Sequence, residues 1–213
     1  MQLYLVRHGQ STNNAGHPRV VDPNLTEIGV VQATATGEHF QKSNFDARFL
    51  YTSPMRRALQ TTLRVKEPLG ISPFVHPDVC ETGGLSVGRG MVREEIEAEF
   101  PGYILNAGIS EEGWAHPDLH KEIDMGATLR AMRLWDMLCQ RHADKKDRVI
   151  MVSHGDFGGF LLSYLFEAHP QKEEFFNLYN CSVSLIEVGS GANTTTLTYV
   201  NSIEHLPLES ITR

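Results

Sequence analysis

The chain is poor in cysteine, has no long apolar run, carries no excess of positive charge and shows no internal repeat. Its three cysteines, Cys80, Cys139 and Cys181, have neither a disulfide-framework nor a metal-binding spacing. They read as reduced thiols in a reducing compartment. No apolar stretch approaches the length needed to span a bilayer. A first strand starting by residue 3 leaves no room for a leader peptide, so the expected location is the cytoplasm. Net charge is −7, from 19 Lys and Arg against 26 Asp and Glu, so no overall field attracts nucleic acid or an anionic membrane. An anionic substrate therefore needs a local arginine cluster that works against the sign of the whole. Low-complexity tracts and interdomain linkers are also missing. With 213 residues, 41% hydrophobic and 21% charged, the composition fits one globular domain spanning 1–213, of unspecified oligomeric state.

What is present begins at once. Residues 3 to 6 form a short, non-alternating apolar run, as in a buried strand of a mostly parallel sheet. The run ends in Arg7, His8 and Gly9, followed by a polar loop with Ser11, Thr12 and Asn14. In open α/β sheets ligands gather outside the carboxyl ends of strands, where Arg7 and His8 would sit. An arginine beside an imidazole suits an oxyanion, and phosphate fits best. An Arg-His-Gly triplet arises by chance in about one chain in a hundred of this length, so its company must decide.

That company is spread along the chain. A helix is expected from residue 27 to about 41, with Thr26 as N-cap, Ile28, Val31 and Ala35 as its buried stripe, and Gly29 and Gly37 weakening it. Residues 46 to 52 read as a second strand. Ser53 and Pro54 then mark a helix start with Arg56 and Arg57 in its first turn, a place that already favours an anion. This helix is expected to close at Pro68 and Gly70, and residues 73 to 79 to form a third strand. Glu81 follows on a glycine-rich loop. Residues 91 to 100 read as a helix with a solvated glutamate face. Residues 101 to 121 lose periodicity, and the region of about 80–120 is expected to form a cap-like insertion over the site. His116 and His120 have a His-x3-His spacing, but Pro117 between them and the lack of further ligands argue against metal. Residues 122 to 142 read as a helix with Met125, Leu129, Met132, Trp135, Met137 and Leu138 mostly in the core. Residues 148 to 152 repeat the opening design, a buried strand running into Ser153, His154, Gly155 and Asp156. A helix with close-packing Gly158 and Gly159 comes next. Two final strands, 183–188 and 195–200, flank a turn, and the polar tail from residue 201 is expected to be loosely held.

Two strands ending in His-Gly and a third feeding an arginine-bearing helix converge on one sheet edge. That convergence fits a histidine attacking phosphorus among cations, with a nearby carboxylic acid protonating the departing oxygen. Glu81 is the first candidate for the acid and Asp156, beside His154, the second; Glu94 and Glu95 read as surface residues. Helical periodicity does not choose between Arg56 and Arg57.

These motifs resemble those of the histidine phosphatase superfamily, also called phosphoglycerate mutase-like. Arg7-His8-Gly9 with Ser11 and Asn14 is similar to its opening signature. The segment Leu25-Thr26-Glu27 with Gly29, Gln32 and Ala33 resembles its next motif; Ser53-Pro54 with Arg57, Ala58, Gln60 and Thr61 resembles its second arginine motif, and Ser153-His154-Gly155 its late histidine. Gln10 stands where many relatives carry glutamate, and Asp156 where many carry a small residue. The resemblance implies a three-layer α/β/α sandwich on a mostly parallel sheet. It implies His8 as the nucleophile of a phosphohistidine intermediate, with Arg7, Arg57 and His154 around the phosphoryl group and Asn14, with Ser11, as further contacts. Glu81 would be the proton donor. No metal or cofactor is called for, and the expected partner is a small phosphorylated substrate. His17 and Arg19, in the loop before Asp22, either touch that substrate or face solvent. Transfer to water makes the enzyme a phosphatase, and transfer to another substrate hydroxyl makes it a mutase. The single cation, Lys121, in 101–121 and the lone Arg213 in the tail favour hydrolysis. The non-enzymatic alternative, a phosphate-binding domain on the same fold, predicts a lost nucleophile or acid.

Overall fold

The computed structural model describes residues 1–42, 45–83, 89–115, 122, 124–143, 146–166, 176–189 and 194–213. Its seven strands are β1 (Gln2–Arg7), β2 (Phe49–Thr52), β3 (Phe74–Val75), β4 (Ile104–Leu105), β5 (Arg148–Ser153), β6 (Val183–Val188) and β7 (Thr195–Ser202). They form one sheet in the order β4-β3-β2-β5-β1-β6-β7. The five strands from β4 to β1 pair in parallel, while β6 pairs antiparallel with β1 and β7 antiparallel with β6. Among the described residues five helices accompany them: α1 (Glu27–Lys42), α2 (Arg56–Leu69), α3 (Arg93–Glu99), α4 (Asp124–Arg141) and α5 (Gly155–Leu165).

Alternation along the central strands explains the layers, since successive side chains leave a strand on opposite faces. Leu3, Leu5, Val149 and Met151 pack with Leu134, Trp135 and Leu138 of α4 and with Phe157 and Leu161 of α5. Val6, Ile150 and Val152 pack on the other side with Phe40 of α1 and Ala58 and Val65 of α2. Both faces are covered, which is why these strands read as unbroken apolar runs. The architecture is the expected α/β/α sandwich. A separate cluster, with Ile96, Phe100, Tyr103, Ile109 and Trp114, packs against Met55, Leu59 and Val75. Residues 101–115, expected to be irregular, thus contain an edge strand and buried anchors.

Several local expectations are corrected. On α1, Ile28 and Val31 are exposed, and the buried face is Gly29, Gln32, Ala33, Thr36, Gly37 and Phe40. The glycines read as weakening the helix are its contact surface: a Cβ on Gly29 would lie 2.1 Å from the Gln10 carbonyl oxygen, and one on Gly37 2.4 Å from that of Arg64. Thr26 does cap α1, its hydroxyl accepting the Gly29 N–H at 3.0 Å. Ser53 does not cap α2, which starts at Arg56 with Asp22 Oδ1 accepting the Arg56 N–H at 3.0 Å. Pro68 lies inside α2, and Gly70 ends it in the left-handed conformation with φ of 66°. The third strand shortens to Phe74–Val75 before a 3₁₀ turn, Pro77–Val79. Met125 and Leu129 of α4 are exposed. The tail is docked: Gln32 Nε2 donates to the Ser210 carbonyl and, at 2.8 Å, to Thr212 Oγ1, and the Thr212 hydroxyl donates to Asn180 Oδ1 at 3.0 Å. The 190–193 turn lies outside the described residues.

No helix among the described residues is long and apolar enough to cross a membrane. The three cysteines are free thiols, and burial pushes Cys80 and Cys181 up to about 12.

Candidate active site

The parallel register sets β1 beside β5, with Arg7 opposite Ser153, so Arg7-His8 and His154 leave the same edge of the sheet. The His8 N–H donates to the Ser153 carbonyl at 2.9 Å, and the Asn180 side-chain amide donates to the His8 carbonyl at 3.1 Å. Gly9 N–H donates to Thr61 Oγ1 at 3.0 Å, fixing the turn against α2. The ring is oriented from both ends: Nδ1 meets the Gly9 carbonyl at 2.7 Å, and Arg57 Nε–H donates to Nε2 at 3.0 Å. A carbonyl accepts only, so Nδ1 carries the proton and the Nε2 lone pair faces the guanidinium. Burial first, then the Arg57 and Arg7 charges, hold the His8 imidazole well below its ordinary pKa. It is a neutral nitrogen among cations.

Arg7 donates through NH1 to the Leu178 carbonyl, and its Nε is buried without a partner among the described residues. A Cβ on Gly155 would lie 3.3 Å from that Nε, so the glycine after His154 lets the guanidinium sit against the start of α5. His154 is fully buried, with its ring centroid 5.0 Å from that of His8 and Nε2 2.8 Å from the Ser53 hydroxyl. Its Nδ1 has no partner among the described residues. Burial and then Arg57 push its pKa well down. Ser53, read as a helix cap, instead serves this imidazole and accepts the Met55 N–H at 3.2 Å. Nothing in the sequence announced that exchange.

Glu81 hangs from the loop after the 3₁₀ turn and reaches the N-terminus of α5. One carboxylate oxygen accepts the N–H of Phe157 at 2.8 Å and of Thr82 at 2.9 Å; the other accepts the Asp156 N–H at 3.4 Å. Burial and the neighbouring Asp156 carboxylate raise its pKa, opposed by Arg57 and the two shorter N–H bonds. Asp156, the rival acid, is exposed and lines no part of the cavity.

A cavity of about 310 Å³ opens here, lined by Arg7, His8, Ser11, Asn14, Arg57 and Glu81. The rest of its described lining is Asn13, Arg19, Val20, Val21, Pro23 and Met55. The structure therefore brings six of the seven expected site residues to one cavity, with His154 packed behind His8. Asn14 Oδ1 accepts the Ser11 hydroxyl at 2.8 Å and its N–H at 3.1 Å, which leaves the Asn14 NH2 group as a donor. Arg19 lines the cavity and His17 does not. Gln10 also stays outside it; its side chain accepts the Thr26 hydroxyl at 2.7 Å. Arg56 turns away to pair with Glu99. Of the 80–120 region only Glu81 lines the cavity among the described residues. The missed contributors are Asn13, Val20, Val21, Pro23 and Met55; Asn13 pins Val20, donating to its carbonyl at 2.9 Å and accepting its N–H at 3.1 Å. Among the described residues no group of three His, Cys, Asp or Glu could hold a metal ion; His116 and His120 lie outside them.

The buried imidazoles have a consequence for stability. His8 and His154 are held well below their ordinary value and His205, through burial and then His39, down to about 4. In the unfolded chain each protonates below about pH 6.5, so that state takes up more protons and stability falls with acidification through that point. Glu81 and Asp22, raised by folding, act in the opposite sense above their ordinary carboxylate range, but as two groups against six, since His39, His76 and His142 are lowered as well. Denaturant midpoints are expected to drop steadily from about pH 6.5 downward. A flat profile between about pH 7 and pH 5 would contradict the buried, neutral imidazoles.

The profile of the histidine phosphatase superfamily (branch 1) matches residues 3–201. A probable phosphatase of Schizosaccharomyces pombe is 26% identical over 203 residues, covering 88% of this chain and 87% of its own. A probable phosphoglycerate mutase GpmB of Yersinia enterocolitica is 27% identical over 191 residues, covering 88% and 85%. A phosphoserine phosphatase mutant from Entamoeba histolytica, solved with phosphoserine, superimposes with a TM-score of 0.68 at 22% identity over 97% of this chain and 99% of its own. That last likeness is one of fold. With the sheet order, the paired imidazoles and a profile match over nearly the whole length in agreement, the chain belongs to branch 1 of the histidine phosphatase superfamily.

Proposed function

We propose that the chain is a phosphatase that hydrolyses a small phosphate monoester through a phosphohistidine on His8. The observation that carries this is the His8 Nε2 lone pair, aimed by the Gly9 carbonyl at Nδ1 and met by the Arg57 guanidinium at the cavity. Arg7 Nε, beside the cavity and buried without a partner among the described residues, supports it, because such a group is costly unless a ligand completes it. A phosphoryl group in the cavity draws the Arg57 donor from Nε2 onto its own oxygens. Nε2 then attacks phosphorus as the P–O bond to the leaving alcohol breaks, and protonated Glu81 gives its proton to that oxygen. Arg7, Arg57 and the Asn14 amide offset the charge on the equatorial oxygens. In the second half Glu81, now ionised, takes a proton from water. The water oxygen bonds to phosphorus, the N–P bond breaks, and inorganic phosphate leaves with His8 neutral again.

Hydrolysis is favoured over mutase chemistry by the cations on hand. Beyond Arg7 and Arg57 the described lining offers only Arg19, beside the apolar Val20, Val21, Pro23 and Met55. The tail's Arg213 is committed to Tyr179, donating to its hydroxyl at 2.7 Å with the guanidinium over the ring. A mutase must retain a small acid and exclude water from the phosphoenzyme, which calls for more positive charge. Incubation with p-nitrophenyl phosphate is expected to release nitrophenol and phosphate together, and a phosphoglycerate to give free phosphate with no isomer. Isomer formation without phosphate would establish a mutase, and inertness to every monoester tested would leave a binding domain.

A further inference from the structure

Arg130 of α4 lies outside the cavity and is 1% exposed. A buried guanidinium persists only where its charge and its fork of donors are met. Here Nε donates to Glu122 Oε1 at 2.9 Å and NH2 to Glu122 Oε2 at 2.6 Å, a two-pronged ion pair. NH1 donates to the carbonyls of Asp78 and Cys80, each at 2.8 Å, and NH2 approaches the Glu81 carbonyl at 3.4 Å. Glu122 Oε2 also meets the Gly83 N–H at 3.4 Å. The pair thus brackets the segment 78–83 through both its carbonyl and its amide groups. On its other side the guanidinium carbon sits 4.0 Å from the centroid of the Phe157 ring, and Phe157 N–H is the donor that aims the Glu81 carboxylate. The backbone from which Glu81 hangs and the N–H that orients it rest on one side chain.

We propose that Arg130, held by Glu122, is a positioning residue for the proton donor, a role that rests on Glu81 being that donor. Stability alone does not call for a charge here, since well-packed apolar residues commonly replace buried ion pairs without loss. Three directed donations to carbonyls, from a guanidinium locked by two more to Glu122, instead hold the loop to the tolerance that proton transfer needs, where displacement by about 1 Å costs on the order of 10²-fold in rate.

The test compares kcat/KM, which reports the step that expels the alcohol, for p-nitrophenyl phosphate and for glycerol phosphate. An alkoxide leaving group needs the proton far more than a nitrophenolate. Glu81→Gln is expected to lower the glycerol phosphate value at least about 10²-fold and the nitrophenyl value far less. Arg130→Lys, which keeps the charge but loses the fork, is expected to show the same split at smaller size and to add nothing in the Glu81→Gln background. Equal losses on both substrates, additive losses in the double variant, or no loss would overturn the proposal. Should Arg130→Lys fail to fold by circular dichroism, Glu122→Gln carries the same expectations. An absence of any split in Glu81→Gln alone would remove the donor reading itself, and the role of Arg130 with it.

Discussion

Replacing His8 with alanine is expected to lower hydrolysis of every monoester by at least about 10³-fold while leaving the fold in place. The loss is large because no neighbour can substitute. His154, the nearest imidazole, has Nε2 engaged by Ser53, is fully buried and does not line the cavity. Arg57 and Arg7 stabilise charge but bring no lone pair. The fold survives because the turn is held by main-chain groups, His8 N–H to Ser153 and Gly9 N–H to Thr61, rather than by the ring. Removing a buried imidazole also removes the desolvation that depresses its pKa, so the variant should tolerate mild acid slightly better than the parent. Phosphate release and alkali-quenched labelling with a monoester radioactive in its phosphoryl group make the check, since the N–P bond survives base and not acid: the parent should trap label on protein and His8→Ala should not. Label retained in the variant would move the nucleophile elsewhere.

How much of this could be read from the sequence follows from where each signal is stored. The central strands were legible because both faces of a parallel strand are buried, so β1 and β5 appear as plain apolar runs. Most of the candidate site was legible because Arg7, His8 and His154 stand at the ends of those strands and Arg57 in the first turn of α2, where position in the chain fixes position at the sheet edge; Glu81 follows a 3₁₀ turn instead. What escaped was settled by long-range partners. Asp22 caps a helix 34 residues away and releases Ser53 to His154, a swap that no local pattern encodes. The tail looked unsupported because its anchors, Gln32 and Asn180, come from other parts of the chain. Arg130 carries no motif of its own, since its acceptors are mostly backbone carbonyls that leave no mark in the sequence. The error over α1 is the most instructive: apolar spacing favoured Ile28 and Val31, yet the helix turns its smallest residues inward.

That inward face makes Gly29→Ala a substitution with a large expected effect on both stability and rate. A Cβ there would stand 2.1 Å from the Gln10 carbonyl oxygen, which is backbone and cannot rotate aside. The same carbonyl accepts the Thr26 N–H at 2.9 Å, and Gln10 N–H donates to Gln32 Oε1 at 2.7 Å, so helix and turn are tied together at the clash. The reciprocal contact is as close, a Cβ on Gly9 falling 2.5 Å from the Gly29 carbonyl oxygen. Alanine would gain about 1 kcal/mol of helix propensity over glycine, but forcing the elements apart is expected to cost about 2–4 kcal/mol net. Because Gln10 is two residues from His8, the displacement also reaches the proposed nucleophile, and kcat/KM should fall on the order of 10²-fold. Gly37→Ala provides the contrast. Its clash is with the Arg64 carbonyl at 2.4 Å, farther along α1 and away from the turn, so it should lose stability with much less effect on rate. Urea midpoints paired with p-nitrophenyl phosphate kinetics separate the two. A Gly29→Ala protein at least as stable as the parent would mean that propensity outweighs the clash and that the close approach of α1 to the turn after His8 is not a constraint.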